Sequence, residues 1–243
     1  MNSICSQSTD SEACKRCKGR YCATKVSLFK SLEESQLKAV TDRIVQKNYE
    51  KNQMVFFEGD KSDKLYLINR GKVKIFKYNR DGKEQILYIL SEGDFIGDIS
   101  LFKQVELRFN AQAIDDVNIC ELTKDDFEEI IKENPEIALK ILQSSYDRIE
   151  KLESLVQSLS NKDVEARIAG LLLSFIKDFG VPGESEILLN LPLSREDLAN
   201  YIGVTRETIS RKLGSLQDEG ILRLEGNKRI VILDLEALEE KYI

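Results

Sequence analysis

The sequence of 243 residues contains no histidine, and this absence removes several kinds of site from consideration. Haem held by a histidine ligand is excluded, and metal centres of the cupin type, which usually need histidines, are disfavoured. No apolar run approaches the roughly 18 residues of a membrane-spanning helix. The first residues also lack the apolar stretch of a secretory signal, so we expect a cytoplasmic protein that does not associate with a membrane.

The composition is that of a globular protein, with 42% hydrophobic and 32% charged residues, and the length suits two modest domains. The net charge of −6 gives no indication of nucleic-acid binding by itself. The sequence presents no pairing of a nucleophile with a base of the kind that covalent catalysis requires. We therefore do not expect an enzyme.

Cysteines are few but unusually placed. They are Cys5, Cys14, Cys17, Cys22 and Cys120. Three of them form the motif C-x2-C-x4-C within a polar, cysteine-rich segment, residues 1–27, whose excess of lysine and arginine could offset thiolates or an anionic cluster. A reducing compartment argues against structural disulfides. In a strand, Cys120 taken alone would ordinarily be a small core residue.

A run of short β-rich segments predicts a barrel domain over residues 28–133. Glycines at turns recur every 11 or 12 residues, and the Asp81-Gly82 pair between two such segments is typical of a β-hairpin. Regular short strands separated by such turns indicate a sandwich or a jelly-roll barrel. A short helix is expected before the strands, opened by a capping box of Ser31 and Glu34.

Residues 134–162 are predicted to form a long helix with a dimerisation seam. Apolar residues recur there at seven-residue intervals, like the a and d positions of a coiled coil. The predicted seam consists of Leu142, Ser145, Ile149, Leu152, Val156 and Leu159. No carboxylate belongs to it, because Glu150 and Glu153 fall outside these positions. The alternative is an amphipathic helix packed on its own domain, but the narrow apolar stripe with charged flanks favours a homodimer.

The C-terminal residues 163–243 have the pattern of a winged helix-turn-helix. Ser194 and Asp197 form a capping box for one short helix, and Gly203 makes the turn. Thr205 is a suitable N-cap for a second helix. The segment ILRLEGNKRIVIL then predicts a two-stranded wing.

The outer face of the second helix carries residue types that recognise DNA. Arginine pairs with the guanine edge and glutamate accepts from cytosine, while small side chains let the helix enter a major groove. A lysine in the wing would contact phosphates. The predicted DNA-binding residues are Arg206, Glu207, Ser210, Arg211 and Lys228.

The order of barrel, long dimer helix and winged helix-turn-helix resembles the CRP/FNR family of bacterial transcription regulators over almost the whole chain. The motifs EGDFIGDISLF and VTRETISRKLGSLQDEGIL are similar to the family's small-molecule loop and recognition helix. The resemblance implies an α+β fold with an N-terminal cyclic-nucleotide-binding-like β jelly-roll barrel. It also implies a homodimer that binds double-stranded DNA at a palindromic operator with TTGA- or TGTGA-like half-sites, and that contacts RNA polymerase.

Within the family, the resemblance points to the FNR-like, oxygen-sensing branch. Its members bind an oxygen-labile [4Fe–4S] cluster through an N-terminal cysteine group and one distant barrel cysteine. The resemblance implies Cys14, Cys17, Cys22 and Cys120 as these ligands, with Cys5 as a spare. Structural zinc and a thiol–disulfide switch are alternative roles for the same thiols.

Two further comparisons with the family bear on recognition. Glu207, Ser210 and Arg211 fit the E-x-x-S-R pattern of the FNR branch, whereas Arg206 is more typical of the CRP branch, so the half-site is open between the two. In the cyclic-nucleotide pocket, a glutamate follows the loop glycine and an Arg-Ser pair holds the phosphate. Here an aspartate, Asp98, and the pair Arg108-Phe109 stand instead, which disfavours a cyclic nucleotide but leaves another small-molecule effector open.

Overall fold

The computed structural model describes residues 26–29, 32–97, 106–160, 163–183 and 186–242, apart from the side chains of 27 and 158–160. The chain divides into two compact units. The first comprises Met1–Ile75 and Ile89–Arg148, and the second comprises Phe76–Tyr88 and Ile149–Ile243.

Helix α1 (Glu34–Arg43) precedes eight strands. The strands are β1 (Val45–Tyr49), β2 (Met54–Phe56), β3 (Lys64–Arg70), β4 (Val73–Tyr78), β5 (Glu84–Leu90), β6 (Phe95–Ile96), β7 (Asn110–Ala113) and β8 (Val117–Thr123). They form two four-stranded sheets, in the orders β1-β8-β3-β6 and β2-β7-β4-β5. Strand β8 pairs antiparallel with both β1 and β3, so it lies inside the first sheet rather than at its edge.

The N-terminus of α1 differs from the sequence prediction. Glu33 is the N-cap, and its backbone N–H donates to the side-chain oxygen of Gln36 at 2.8 Å. This reciprocal pair is a capping box, but it is built two residues after Ser31, which lies outside the described residues. Strand β1 was not predicted either. Four of its five residues are exposed, so it lacks the alternation of polar and apolar residues that usually marks a strand.

The main apolar cluster of the first unit lies on one face of the first sheet. Helices α2 (Lys124–Glu133) and α3 (Glu136–Ser160) follow β8 and supply residues to it. The buried members are Val26, Leu28, Phe29, Leu32, Val40, Leu65, Leu67, Phe95, Cys120, Leu122, Phe127, Ile130, Ile137 and Ile141. Each fully buried leucine, isoleucine or phenylalanine contributes about 1.5–3 kcal/mol relative to an exposed one. This cluster therefore joins the N-terminal residues, the sheet and both helices into one core.

Helix α3 presents an apolar row on its exposed side. Leu142, Ile149 and Val156, seven residues apart, have 66%, 53% and 64% of their surface exposed. Of the second predicted row, Ser145 and Leu152 are half-buried against their own chain, and the side chain of Leu159 is not described. The more exposed flank of the central row is instead formed by Leu139, Tyr146 and Glu153. A carboxylate therefore lies beside the apolar row, which the sequence analysis had not expected.

The second unit contains the remaining elements of the chain. They are α4 (Val164–Phe179), β9 (Gly180–Pro182), β10 (Ile187–Asn190), α5 (Arg195–Ile202), α6 (Arg206–Asp218), β11 (Leu222–Glu225), β12 (Arg229–Ile232) and α7 (Leu235–Glu240). The strands form one antiparallel sheet in the order β11-β12-β10-β9. The β11–β12 hairpin turns at Gly226, whose φ of 70° is in the left-handed region that favours glycine. The predicted wing is therefore present.

The fold class predicted from the sequence is confirmed: a β jelly-roll barrel, a long helix and a winged helix-turn-helix follow one another along the chain. Within the described residues, none of the helices combines the length and the apolar character that crossing a membrane requires.

Candidate DNA interface and sensor site

The helix-turn-helix is built by local capping chemistry. The Ser194 hydroxyl accepts from the backbone N–H of Asp197 at 3.1 Å, and the Asp197 carboxylate accepts in return from the Ser194 N–H at 2.9 Å. Gly203 ends α5 with a φ of 71°, which a residue with a Cβ adopts only at a cost. Thr205 then caps α6 by accepting from the N–H of Thr208 at 3.3 Å. These three devices fix where α6 begins.

Helix α6 has a clear inner and outer face. Ile209, Leu213 and Leu216 are at most 1% exposed and anchor the helix in the unit. All four residues predicted to contact bases on this helix are exposed: Arg206, Glu207, Ser210 and Arg211. A Cβ placed on Gly214 would meet no atom within 4 Å, so the glycine keeps this part of the surface low. The structure thus brings together the α6 residues that the sequence singled out.

The charges on this face suit the recognition of DNA bases. A backbone hydrogen bond at its own N–H, then one from the Thr205 hydroxyl, and the nearby Arg206 hold the pKa of Glu207 below its usual range. Glu207 is therefore an acceptor throughout the physiological pH range. An ionised acceptor beside two arginines offers both the acceptor and the donors that base edges demand.

The wing residue Lys228 lies close to the turn that precedes α5. Its Nζ donates to the carbonyl oxygen of Pro192 at 3.2 Å. An ammonium group has three donors, so this single bond leaves donors for a phosphate. Lys228 lies in the turn of the β11–β12 hairpin, close to the start of α5, and its contact with a DNA phosphate stays a prediction.

Arg195, the first residue of α5, was missed by the sequence analysis. It is half-buried, and its buried Nη1 has no hydrogen-bond partner among the described residues. Burial lowers the pKa of Arg195, because the charged form is desolvated. An unpartnered buried donor is costly and calls for an acceptor. The spacing of residues in the sequence gives no signal for this feature, because it depends on the burial of one guanidinium nitrogen.

Of the predicted cluster ligands, the structure describes only Cys120. It is 2% exposed, belongs to the apolar cluster of the first unit and forms no disulfide. Cys14, Cys17 and Cys22, like the spare Cys5, lie outside the described residues. Within the described ranges, no group of three or more cysteine or carboxylate side chains could hold a metal ion.

The first described residues of the chain nevertheless lead to Cys120. Val26, at 1% exposure, lies in the same apolar cluster as Cys120. Only three residues separate Val26 from Cys22, and an extended chain spans about 3.3–3.6 Å per residue. Cys22 itself lies outside the described residues, four positions before Val26 in the sequence.

The inner side of the barrel is occupied by aromatic rings. Phe56 lies 5.3 Å from Tyr66 and 6.0 Å from Phe109, measured between ring centroids. Phe109 stands where the cyclic-nucleotide pocket would need a small hydroxyl, and the neighbouring Arg108 is exposed. The ring of Phe109 thus lies beside an aromatic neighbour. Asp98 lies outside the described residues.

A buried carboxylate was not foreseen by the sequence analysis. Glu121 on β8 is 4% exposed and accepts from Lys47 and Lys64, each with an N–O distance of 2.9 Å. Burial alone would raise the pKa of Glu121, but the hydrogen bonds from Lys64 and Lys47 outweigh it and lower the value. Its neighbour Tyr49 donates to it at 3.4 Å, and burial raises the pKa of Tyr49 to about 12.

Replacing Glu121 with glutamine should destabilise the barrel by about 1–3 kcal/mol at neutral pH, because two charge-assisted hydrogen bonds are lost. A carboxyl with a lowered folded pKa gives stability that is present above its unfolded pKa and is lost as the pH falls through the folded one. The free energy of unfolding of the wild type, measured with urea, should therefore fall as the pH drops below about 4.5, the ordinary pKa of this carboxyl. Glu121→Gln should flatten that dependence, whereas the exposed control Glu50→Gln should not. If the stability of Glu121→Gln depends on acid pH as that of the wild type does, Glu121 does not stabilise the barrel in this way.

Both units of the chain are similar to domains of known proteins. The family model for the cyclic nucleotide-binding domain matches residues 46–134, and the model for the Crp-like helix-turn-helix domain matches residues 166–241. The CRP-like cAMP-activated global transcriptional regulator of Mycobacterium tuberculosis is 30% identical over 217 residues, which cover 89% of this chain and 96% of that protein. The chain belongs to the CRP/FNR family of transcription regulators.

Other members of the CRP/FNR family are similar to a comparable extent. The anaerobic regulatory protein of Pasteurella multocida is 31% identical over 211 residues, covering 86% of this chain and 77% of that protein. The structure of FixK2 from Bradyrhizobium japonicum superposes with a TM-score of 0.73 at 26% identity, covering 82% of this chain and 98% of that one. The relatives from Mycobacterium tuberculosis and Pasteurella multocida are named as regulators, and their names point to different signals. Membership therefore establishes a DNA-binding regulator and does not by itself select the signal.

Proposed function

We propose that this CRP/FNR regulator is a homodimeric, oxygen-responsive transcription factor controlled by a [4Fe–4S] cluster. The cluster would be held by Cys14, Cys17, Cys22 and Cys120. The dimeric protein would bind an operator with two inverted TTGA- or TGTGA-like half-sites and contact RNA polymerase at the promoter. When bound, an oxygen-labile cluster supplies the reactivity toward oxygen that the side chains of this chain lack.

The exposed face of α6 is the observation that carries the DNA-binding part. Arg211 supplies paired donors for a guanine edge, Glu207 an acceptor for cytosine, and Ser210 a small polar contact between them. Arg206 adds a donor at the start of the helix, and its presence leaves the half-site between the FNR and CRP types. Lys228 and Arg195 would contact phosphates, which positions the protein without selecting a sequence.

The burial of Cys120 beside the start of the described chain supports the sensor part. A [4Fe–4S] cluster needs four thiolates at one place. The chain carries three cysteines a few residues before Val26. Val26 packs in the same apolar core as Cys120. Thiolates with no histidine available fit an iron–sulfur cluster, and they fit structural zinc as well. The name of the Pasteurella relative, an anaerobic regulatory protein, favours the iron–sulfur reading.

The test of the sensor is anaerobic purification followed by analysis of the metal. We expect brown protein with about four irons and four acid-labile sulfides per chain. This protein should lose its colour when air is admitted. Colourless protein with one zinc per chain would replace the cluster by a structural metal. Protein with neither metal, whose thiols form a disulfide in air, would replace it by a thiol switch.

Arg211→Ala tests the DNA interface. The substitution should cost about 1–3 kcal/mol on the specific operator and relax selectivity at one guanine in each half-site, because a paired contact to one base is lost. Lys228→Ala is the matched control, since a phosphate contact should weaken all sequences alike and flatten the salt dependence. Fluorescence anisotropy with operator and random duplexes measures both. Equal losses on the two duplexes for Arg211→Ala would show that it does not contact bases.

A further inference from the structure

Four charged side chains connect the recognition helix α6 to two other helices of the second unit. Glu165, in the first turn of α4, accepts from Lys212 of α6 at 2.8 Å and from Lys241 at 2.7 Å. Lys241, which directly follows α7, also lies 2.7 Å from the carboxylate of Glu219 at the C-cap of α6. We refer to Glu165, Lys212, Glu219 and Lys241 as the clasp. Its members alternate in sign, so each charge lies beside opposite charges.

The end of the chain is held in place by packing as well as by charge. Leu238 of α7 is fully buried, and Asp234 caps α7 by accepting from the N–H of Ala237 at 2.9 Å. The ring of Tyr242 lies so close to Gly170 of α4 that a Cβ on that glycine would be 2.7 Å from the ring. The packed residues on either side of Lys241 therefore hold it beside Glu165 and Glu219.

We propose that the clasp is a positioning element that holds α6 at the orientation needed to contact base edges, an inference that rests on the proposed role of α6 in recognition. The inner face of α6 is apolar, and apolar contacts are non-directional, so they tolerate small rotations and shifts of a helix. Charge-assisted hydrogen bonds are short and directional. Lys212 and Glu219, seven residues apart, fix two points along the helix and remove that freedom.

The electrostatic state of the clasp is consistent with this role. Hydrogen bonds from Lys212, then from Lys241, hold the pKa of Glu165 below its usual range. The hydrogen bonds to Glu165 and Glu219 raise the pKa of Lys241. Glu165 is thus ionised and Lys241 is protonated around neutral pH. Contact between Arg211 and a base tolerates errors of only about 0.5 Å in placement, so a small rotation of α6 should cost specificity before it costs folding.

The experiment uses the full-length, anaerobically purified protein and the operator that the wild type selects from a randomised duplex library. Lys241→Gln should weaken binding to that operator about threefold to tenfold, which is toward the lower end of the coupling measured within charged networks, while binding to random duplex stays within about twofold. Lys241→Arg should restore discrimination, since a guanidinium can bond both carboxylates. Lys151→Gln, which removes the exposed ion pair with Asp178 in the same unit, is the matched control and should change neither affinity.

A second variant separates positioning from charge. Gly170→Ala leaves every charge in place and favours the helix, yet its Cβ should displace Tyr242 and with it Lys241. It should lower discrimination by a similar factor without lowering the unfolding temperature of the unit.

Three outcomes would overturn the inference. Equal weakening on operator and random duplex by Lys241→Gln would mean a general charge effect. Unchanged discrimination with a lower unfolding temperature would mean a purely structural bridge. Full discrimination in Gly170→Ala would mean that the docking of the tail is irrelevant. A wild type that enriches no sequence from the library would instead refute the proposed function of α6 itself.

Discussion

Replacing Cys120 with alanine should abolish assembly of the iron–sulfur cluster while leaving the barrel folded. Cys120 is 2% exposed in the apolar core of the first unit, and alanine keeps a small apolar group there, so the loss of packing is slight. It removes the thiolate, however, and an iron left without its fourth cysteine is open to solvent and labile. The anaerobic protein should therefore be colourless, with iron and sulfide near zero per chain.

The N-terminal cysteines provide the matched comparison. Serine at Cys14, Cys17 or Cys22 should have the same effect as alanine at Cys120, whereas Cys5→Ser should retain the wild-type iron content. Circular dichroism of the cluster-free forms must show the same thermal transition in all variants, so that loss of iron is not loss of folding. If Cys120→Ala keeps its iron, Cys120 is a core residue and no ligand. If Cys5→Ser loses iron while Cys22→Ser keeps it, the assignment within the segment is wrong.

The parts of the fold that the sequence predicts well are those decided by neighbours along the chain. Ser194 and Asp197 are three residues apart and cap α5 as expected, and Gly203 has the positive φ that the turn needs. Thr205 likewise caps α6. In each case, the interaction closes within one helical turn, so the sequence contains both partners in one short window.

The features that escaped prediction depend on partners far apart in the sequence. Glu121 looks like an ordinary charged residue of an alternating strand, and only the fold brings Lys64, 57 residues away, to its carboxylate. The bond between Glu165 and Lys241 joins residues 76 apart. Strand β1 is defined by pairing with β8, and its own residues are mostly polar and exposed. Long-range pairing of this kind leaves no periodicity to detect.

The candidate site divides in the same way. The exposed face of α6 proposed to contact bases follows from helical spacing, because Glu207, Ser210 and Arg211 recur at three or four residues. Arg195 was missed because its importance depends on burial of one guanidinium nitrogen without a partner, which spacing cannot give. The sensor remains a proposal, since three of its four expected ligands lie outside the described residues.

Ile149→Glu should be a monomer, with or without a cluster, whereas we expect the wild-type regulator to be a dimer. Ile149 is 53% exposed and stands in the middle of the apolar row of Leu142 and Val156 on α3. In a symmetric dimer, the same residue of both chains meets near the two-fold axis. Two carboxylates placed there would repel each other in an interface that excludes water, which costs far more than the lost apolar contact.

The natural carboxylate beside this row, that of Glu153, should not have that effect. Glu153 follows Leu139 and Tyr146 at seven-residue spacing and is exposed, so it lies at the flank of the row, where water and salt screen repulsion. The centre of the row stays apolar. Leu152 is already half-buried in its own chain and would add less than a fully exposed leucine would, so Ile149 and its two row mates should dominate association.

We therefore expect the wild-type protein to be a dimer even without its cluster. Sedimentation velocity of the apo-protein at micromolar concentration should give the dimer mass, Ile149→Glu the monomer mass, and the control Gln157→Glu, on the polar face of the same helix, the dimer mass. Loss of the cluster would then act by shifting a population between two dimer states rather than by dissociation. An apo-protein that is mainly monomeric and dimerises on reconstitution would overturn this, because assembly itself would then be the switch. The apparent affinity of the apo form for DNA would in that case rise with protein concentration, because more of the protein would be dimeric. An apo-protein that is already an inactive dimer should instead bind the operator weakly at every concentration.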